Sequence, residues 1–249
     1  MRYPSLLLVL FALLLLPSMA TAQVGITIEA EAGPVWQGSN TVEVPNDGTA
    51  TRFALTGLTG RGAAPAGRLT LTWGITARHS VRALAAPLAI SETGTRTAPI
   101  QFAGETFTAD TPIDARYQFN SYRLTYRYRL LNTDSFQGSI GLTAKIRDAE
   151  VRLEQGDQRA FDDDLGVLPL VHLAAHWQPA DRWQVRLEAD ALAGGPGRAV
   201  DAALTAGYDL STQWTLNVGY RVLEGGADVP QVYNFALLHY ALLSIQWRL

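Results

Sequence analysis

The sequence predicts an all-β protein, a transmembrane antiparallel up-and-down β-barrel of about ten strands (roughly 8 to 12), preceded by a signal peptide. Three observations lead there. Ser121 to Leu130, SYRLTYRYRL, sets Tyr122, Leu124, Tyr126, Tyr128 and Leu130 against Arg123, Thr125, Arg127 and Arg129. Successive strand side chains point to opposite faces, so one face is greasy and the other cationic. The same alternation recurs along the chain, while beyond residue 22 no apolar run approaches the roughly 18 residues of a membrane helix. Third, the connections sort into short ones at one end and mostly long ones at the other, a segregation typical of membrane barrels.

The N-terminus carries Arg2, the apolar run Leu6 to Leu16, and Ala20-Thr21-Ala22, the three parts of a secretory signal. Its apolar run is too short to span a bilayer. The expected domains are therefore residues 1–22, a signal peptide, and residues 23–249, the barrel. The chain has no cysteine, which excludes disulfides, thiolate metal sites and a lipoprotein anchor. Without Arg2, 19 basic residues face 23 acidic ones, and such an acidic balance speaks against a nucleic-acid partner.

In chain order, Val24 to Ala32 places Glu29 and Glu31 on its polar face. Gln37 to Gly67 reads as a long loop, with a strand-like Thr51 to Leu58 inside it. Arg68 to Ala77 sets Leu69, Leu71, Trp73 and Ile75 against Arg68 and threonines, and Val81 to Ile90 fits either facing. Ser91 to Pro112 reads as a second long loop before the strand from Asp114 to Leu131. Asn132 to Ser135 is a turn, followed by Phe136 to Glu154, in which the apolar phase flips near Arg147-Asp148. A bulge there would explain the flip. Gln155 to Asp164, ending in three aspartates, is expected to be a loop, as is Glu224 to Gln231. The remaining strands are Leu165 to Trp177, Trp183 to Ala193, Arg198 to Leu210, Gln213 to Leu223 and Val232 to Leu249.

The last strand carries Phe235, Leu237, Leu243, Ile245, Trp247 and Leu249 on one face. It resembles the C-terminal recognition strand of bacterial outer-membrane barrels, which usually ends in Phe or Trp where this one ends in Leu. The whole mature chain resembles the small outer-membrane barrels of Gram-negative bacteria. Gly219 to Asp228, with Val232-Tyr-Asn-Phe235 after it, is similar to a recurring piece of uncharacterised proteobacterial barrels. The resemblance implies a bacterial outer-membrane location, lipid as surroundings, the barrel-assembly machinery as a partner, and no activity.

In a barrel the apolar face meets lipid and the charged face lines the lumen. Expected lipid-facing residues are Trp73, Tyr122, Leu124, Tyr126, Tyr128, Trp183, Trp214, Phe235 and Trp247. The expected lumen network is Glu29, Glu31, Arg123, Arg127, Arg129, Lys145, Arg147, Arg186, Glu188, Asp190, Asp201 and Arg221, joined by Arg68, His172, Asn217 and Gln246. Unpaired charge away from water is costly, so these groups should pair across a tube little wider than the eight-stranded kind that side chains fill. The expected product is a lumen plugged by ion pairs, with function in the outer loops. The alternative is a narrow channel or binding barrel for small anionic solutes, with Arg123, Arg127, Arg129 and Arg221 as its selective ring.

Hydrolase chemistry is the third alternative. Lipid A deacylase barrels, of similar size, carry a His-x-Ser pair, but His239-Tyr240-Ala241 lacks the serine. Omptin-type proteases need an Asp-Asp pair facing an Asp-His pair, and neither His172 nor His176 has an adjacent aspartate. No catalytic residue is therefore assigned. Asp162 to Asp164 lacks the spacing of a calcium loop, so neither metal nor cofactor is expected.

Overall fold

The structure, a computed structural model, describes residues 25–249; the expected signal peptide, residues 1–22, lies outside the described residues. The wall is a closed antiparallel meander of ten strands. In order they are β1 (Ile26–Glu43), β3 (Ala64–Gly74), β4 (His79–Ala86) continued by β5 (Ala89–Gly94), β8 (Ile113–Asn132), β9 (Phe136–Gln155), β10 (Gln158–Ala180), β11 (Trp183–Gly194), β12 (Gly197–Asp209), β13 (Trp214–Val229) and β14 (Val232–Arg248). Each pairs with its neighbour, and β1 pairs with β14 from Thr27–Arg248 to Glu43–Tyr233, so the sheet closes on itself; above the closed part, Gln158 to Leu170 of β10 pair with β9 alone. Pro87, with no amide hydrogen to donate, falls between β4 and β5, both of which pair with β8.

The connections at one end, residues 75–78, 133–135, 181–182 and 210–213, are all short, whereas the other end carries both long loops beside two-residue turns at 156–157, 195–196 and 230–231. In barrels of this kind the end with only short connections faces the periplasm. At the opposite, extracellular end, loop 44–63 holds β2 (Phe53–Ala54) and one helical turn, α1 (Thr56–Thr59), and loop 95–112 holds the hairpin β6 (Ile100–Phe102) and β7 (Glu105–Phe107).

Two expected loops are strand instead. β9 and β10 stay paired up to Gln155–Gln158, around a two-residue turn in which Gly156 takes φ +60°. Glycine reaches that left-handed conformation without a Cβ clash. β13 likewise runs to Val229, paired with Val232. Asp162, Asp163 and Asp164 therefore sit within β10, opposite Val151, Glu150 and Ala149. The bulge expected near Arg147-Asp148 is also absent: register holds through that region on both sides of β9. Shifts occur instead between Gln37 and Ser39, between Arg129 and Leu131 and between Trp177 and Ala180.

What changes near residue 148 is the chemistry on each side of the wall. The odd residues Lys145, Arg147, Ala149, Val151 and Leu153 form one continuous inward face, which turns from cationic to apolar as it rises. Over the same stretch the outer face turns from Ile140, Leu142 and Ile146 to Asp148, Glu150, Arg152 and Glu154. Outer ion pairs form there, Arg152–Glu150 at 2.6 Å and Arg159–Glu154 at 3.2 Å. The wall thus rises above its apolar belt into water.

Candidate functional site

The interior has three levels, each set by which side chains the wall and loops deliver. The middle level is an ionic layer centred on Asp201 and Asp190. Arg123 on β8 reaches across the tube, donating from Nη2 to Asp201 Oδ2 (2.6 Å), from Nη1 to Asp190 Oδ2 (2.8 Å) and from Nε to Ser121 Oγ (3.0 Å). Arg221 on β13 donates to Asp201 Oδ1 (2.7 Å) and Glu31 Oε2 (2.9 Å), and Arg68 on β3 to Asp201 Oδ2 (3.1 Å). Asp190 Oδ1 also accepts from Thr143 (2.8 Å) and meets His172 Nδ1 at 2.8 Å. These groups come from eight wall strands, β1, β3 and β8 to β13, and their side chains are buried except that of Glu31, which is partly so. Pairing of this kind is what makes charge tolerable away from water, although Arg68 Nη1, Arg221 Nε and His172 Nε2 stay without a partner among the described residues.

Below lies a vestibule of about 660 Å³, opening between the short turns. Glu188 accepts from Arg127 (2.9 Å) and pairs with Arg82 (3.1 Å). Arg186 grips Glu29 in a bidentate pair at 2.6 and 2.9 Å, and Ser244 donates to the same carboxylate at 2.6 Å. Arg129 lines the vestibule with no hydrogen-bond or ion-pair partner among the described residues.

Above the ionic layer is an apolar cap. Val35, Tyr117, Leu153, Leu223 and Leu238 from the wall pack with Phe53, Leu55 and Leu58 of loop 44–63 and with Ile100, Phe102 and Phe107 of loop 95–112. Phe53 and Phe102 meet edge to face, with ring centroids 6.1 Å apart. Between cap and layer sits Lys145, buried, its Nζ 4.7 Å from the centroid of the Phe119 ring. A cation over an aromatic face is the attraction available to it there.

All twelve expected lumen residues point inward, but they do not form one network. Glu31, Arg123, Asp190, Asp201 and Arg221 make the layer; Glu29, Arg127, Arg186 and Glu188 line the vestibule in pairs. Arg129 and Lys145 stand apart, and Arg147 contacts Asp164 instead. Arg82, buried against Glu188, was hidden from the sequence by the ambiguous facing of Val81 to Ile90. The cause is the same change of level: β4, the Pro87-Leu88 link and β5 turn Arg82, Leu84, Leu88 and Ile90 inward in succession, from ionic to apolar.

On the outer wall, Leu142 and Val167 are 67% and 72% exposed. Tyr122, Leu124, Tyr126 and Tyr128 of β8 face outward, as do Trp73, Trp183, Trp214, Phe235 and Trp247 of other strands. Trp214 stacks on Trp247 at 5.5 Å, and Trp183 meets Tyr208 edge to face at 5.0 Å, all at the periplasmic end. Phe235 and Tyr233 sit at the other end, 5.3 Å apart. Aromatic residues at both margins of an apolar belt mark the two membrane interfaces. Among the described residues no helix is long and apolar enough to span a membrane; this wall crosses with strands.

A closed antiparallel wall, greasy outside and ionic inside, defines a transmembrane β-barrel of the bacterial outer membrane. One solved structure of low identity shares the fold. The chain is similar to the outer-membrane protease OmpT from Escherichia coli, with TM-score 0.54 and 10% identity over 93% of this chain and 99% of that one. It is also similar to Ail, the attachment invasion locus protein of Yersinia pestis (TM-score 0.41, 8% identity, 91% and 99%), and to the translocator domain of the autotransporter NalP from Neisseria meningitidis (0.38, 11%, 93% and 90%). No protein-family model and no curated protein matches the chain.

Proposed function

We propose that this protein is a closed, non-conducting outer-membrane barrel that acts through its capped extracellular end. One observation carries the reading: the tube is filled twice in series, by the ionic layer around Asp201 and by the apolar cap into which both long loops fold. A conducting pore needs continuous water, and each filling interrupts it. The cap is also what gives the loops a fixed outer surface, held by Phe53, Leu55, Ile100 and Phe102 rather than by disulfides. Fixed loops on a rigid scaffold are where recognition surfaces are usually built.

The reading includes no hydrolase. His172 lies in the ionic layer, His176 in the vestibule, His79 at a short turn, and His239 faces outward against Tyr220, so none reaches the carboxylates of the extracellular rim. Lipid takes the outer belt.

The test is planar-bilayer recording on refolded protein whose closure is verified by a changed gel mobility on boiling. A silent bilayer is expected. Steady conductance from the unaltered chain would overturn the proposal. Deleting residues 46–51 and 96–110 together should still leave the bilayer silent, because the ionic layer remains.

A further inference from the structure

We propose that the periplasmic vestibule is a binding site for one small, doubly charged oxyanion, of the phosphate or dicarboxylate kind. The cavity has the size of a small-molecule site, about 660 Å³, and ends blindly against the ionic layer. Its charge is lopsided. Arg78, Arg82, Arg127, Arg129, Arg186 and Arg248 line it, against the carboxylates of Glu29 and Glu188.

Pairing accounts for part of that excess and no more. Arg186 is paired in charge with Glu29, its Nε alone lacking a partner among the described residues, and Arg248 with Asp209 at 3.2 Å just behind the lining. Arg78 donates to the Tyr128 hydroxyl at 3.1 Å. Arg82 and Arg127 must share the single carboxylate of Glu188, and Arg129 has no carboxylate at all among the described residues. Of the three cations nearest Glu188 and Arg129 on the inner wall, one charge is matched and two are not.

The geometry suits an anion rather than a cation or an apolar ligand. Arg127 and Arg129 are two residues apart on β8, so both project from the same face of the same strand. Arg127 Nε is buried without a partner. Ser139, directly across from Arg129 on β9, adds a hydroxyl donor at the same level. Planar guanidinium forks recognise carboxylate and phosphate oxygens in bidentate fashion. Protein walls flank them, with the mouth open at the periplasmic end, so the attraction is screened less than at a flat surface. The cavity opens only among the short turns, so the ligand arrives from the periplasm.

The experiment uses the full mature chain refolded in detergent, titrated calorimetrically with inorganic phosphate and, separately, with succinate against a chloride background. One saturable site is expected for at least one of the two, and which of them binds distinguishes a phosphate from a carboxylate ligand. Arg129→Gln should weaken it about tenfold or more, the effect of losing a charge-assisted hydrogen bond. Ser139→Glu keeps the arginine but neutralises it in place and should abolish binding, with closure verified by unchanged heat-modifiability. Arg159→Gln, on the outer face, should leave affinity unchanged. Because the chain has no cysteine, Ser139→Cys can be labelled with an impermeant maleimide, and labelling should require a permeabilised outer membrane. No saturable heat with either anion, affinity untouched by both Arg129→Gln and Ser139→Glu, or labelling of Cys-substituted intact cells would overturn the proposal.

Discussion

The two fillings of this barrel solve one problem with opposite chemistry. At mid-height the tube is closed by Arg68, Arg123 and Arg221 converging on Asp201; higher up it is closed by Tyr117, Phe102, Leu153 and their neighbours. The difference teaches where each kind of side chain can come from. At mid-height no loop reaches the lumen, so only wall residues can fill it, and arginine is the side chain long enough to cross. Apolar residues there would also turn each alternating strand into a continuous apolar run, the pattern that reads as a membrane helix. Above the membrane that constraint lapses: the outer face carries Glu150, Arg152 and Glu154, so the inner face is free to be apolar, and loops 44–63 and 95–112 supply the aromatic bulk.

The ionic layer should be the more brittle of the two. Asp201→Asn leaves three guanidinium groups without their shared carboxylate, and breaking a buried ion cluster from one side costs about 3–5 kcal/mol. Urea unfolding in detergent or vesicles should show that loss. Replacing Arg123 by Met together with Asp201→Leu should cost less than Asp201→Asn alone, since removing both partners strands fewer charges. If Asp201→Asn unfolds like the unaltered chain, the layer contributes no strength to the wall.

The cap should fail locally rather than globally. Leu153→Ala removes a fully buried side chain of the cap, and such truncations cost about 2–5 kcal/mol. Limited proteolysis should then cut loops 44–63 and 95–112 while the wall keeps its heat-modifiable mobility. Simultaneous loss of wall and loops would mean that the two regions are one cooperative unit.

How much of this could be read beforehand follows the same division. β8 betrays the fold because its mid-height stretch, Tyr122 to Leu130, meets lipid on one side and charge on the other, so alternation is at full contrast. Glu31, Asp190, Asp201 and Arg221 were legible for the same reason. The cap was not. Val151 and Leu153 are inward and apolar above the membrane, where Glu150 and Arg152 are outward and polar, so the contrast inverts and imitates a change of phase. Leu223 and Leu238 are masked in the same way, and the hairpin at Gly156-Asp157 looked like part of a polar loop because its flanking strand residues are polar on the water side. Parity assigns Arg129 to the inner face, where it lines the vestibule, but parity carries no information on whether a partner stands opposite.

A smaller effect would sharpen the account of how the cap is anchored. A Cβ added at Gly94 on β5 would lie 2.6 Å from Leu58 Cα, so the helical turn α1 seats against this strand only because position 94 has no side chain. Gly94→Ala should push α1 off β5 at a cost of about 1–3 kcal/mol, the usual range for overpacking. Amide exchange at Leu58 and Thr59, whose N–H groups donate to Leu55 O at 2.9 Å, should accelerate. Exchange in the ionic layer should not change; if it does, cap and layer are mechanically linked.

The smallest effect belongs to the tip of the cap, where Asp47 accepts hydrogen bonds from the Thr49 amide (3.0 Å) and the Thr49 hydroxyl (2.5 Å). Those two donors, the hydroxyl first, hold the Asp47 carboxyl below the ordinary carboxylate range. A depressed folded value means that the ionised form favours the folded turn, so its contribution is present above the unfolded value of about 3.9 and is lost as pH falls through the folded one. Acidification below about pH 4 should therefore loosen this turn, seen as faster exchange at Thr49, while Leu58 beneath it stays protected. An Asp47 titration midpoint at or above the ordinary value would show that the tip is not held by its carboxylate, and would shift the anchoring of loop 44–63 wholly onto Phe53, Leu55 and Leu58 in the apolar core.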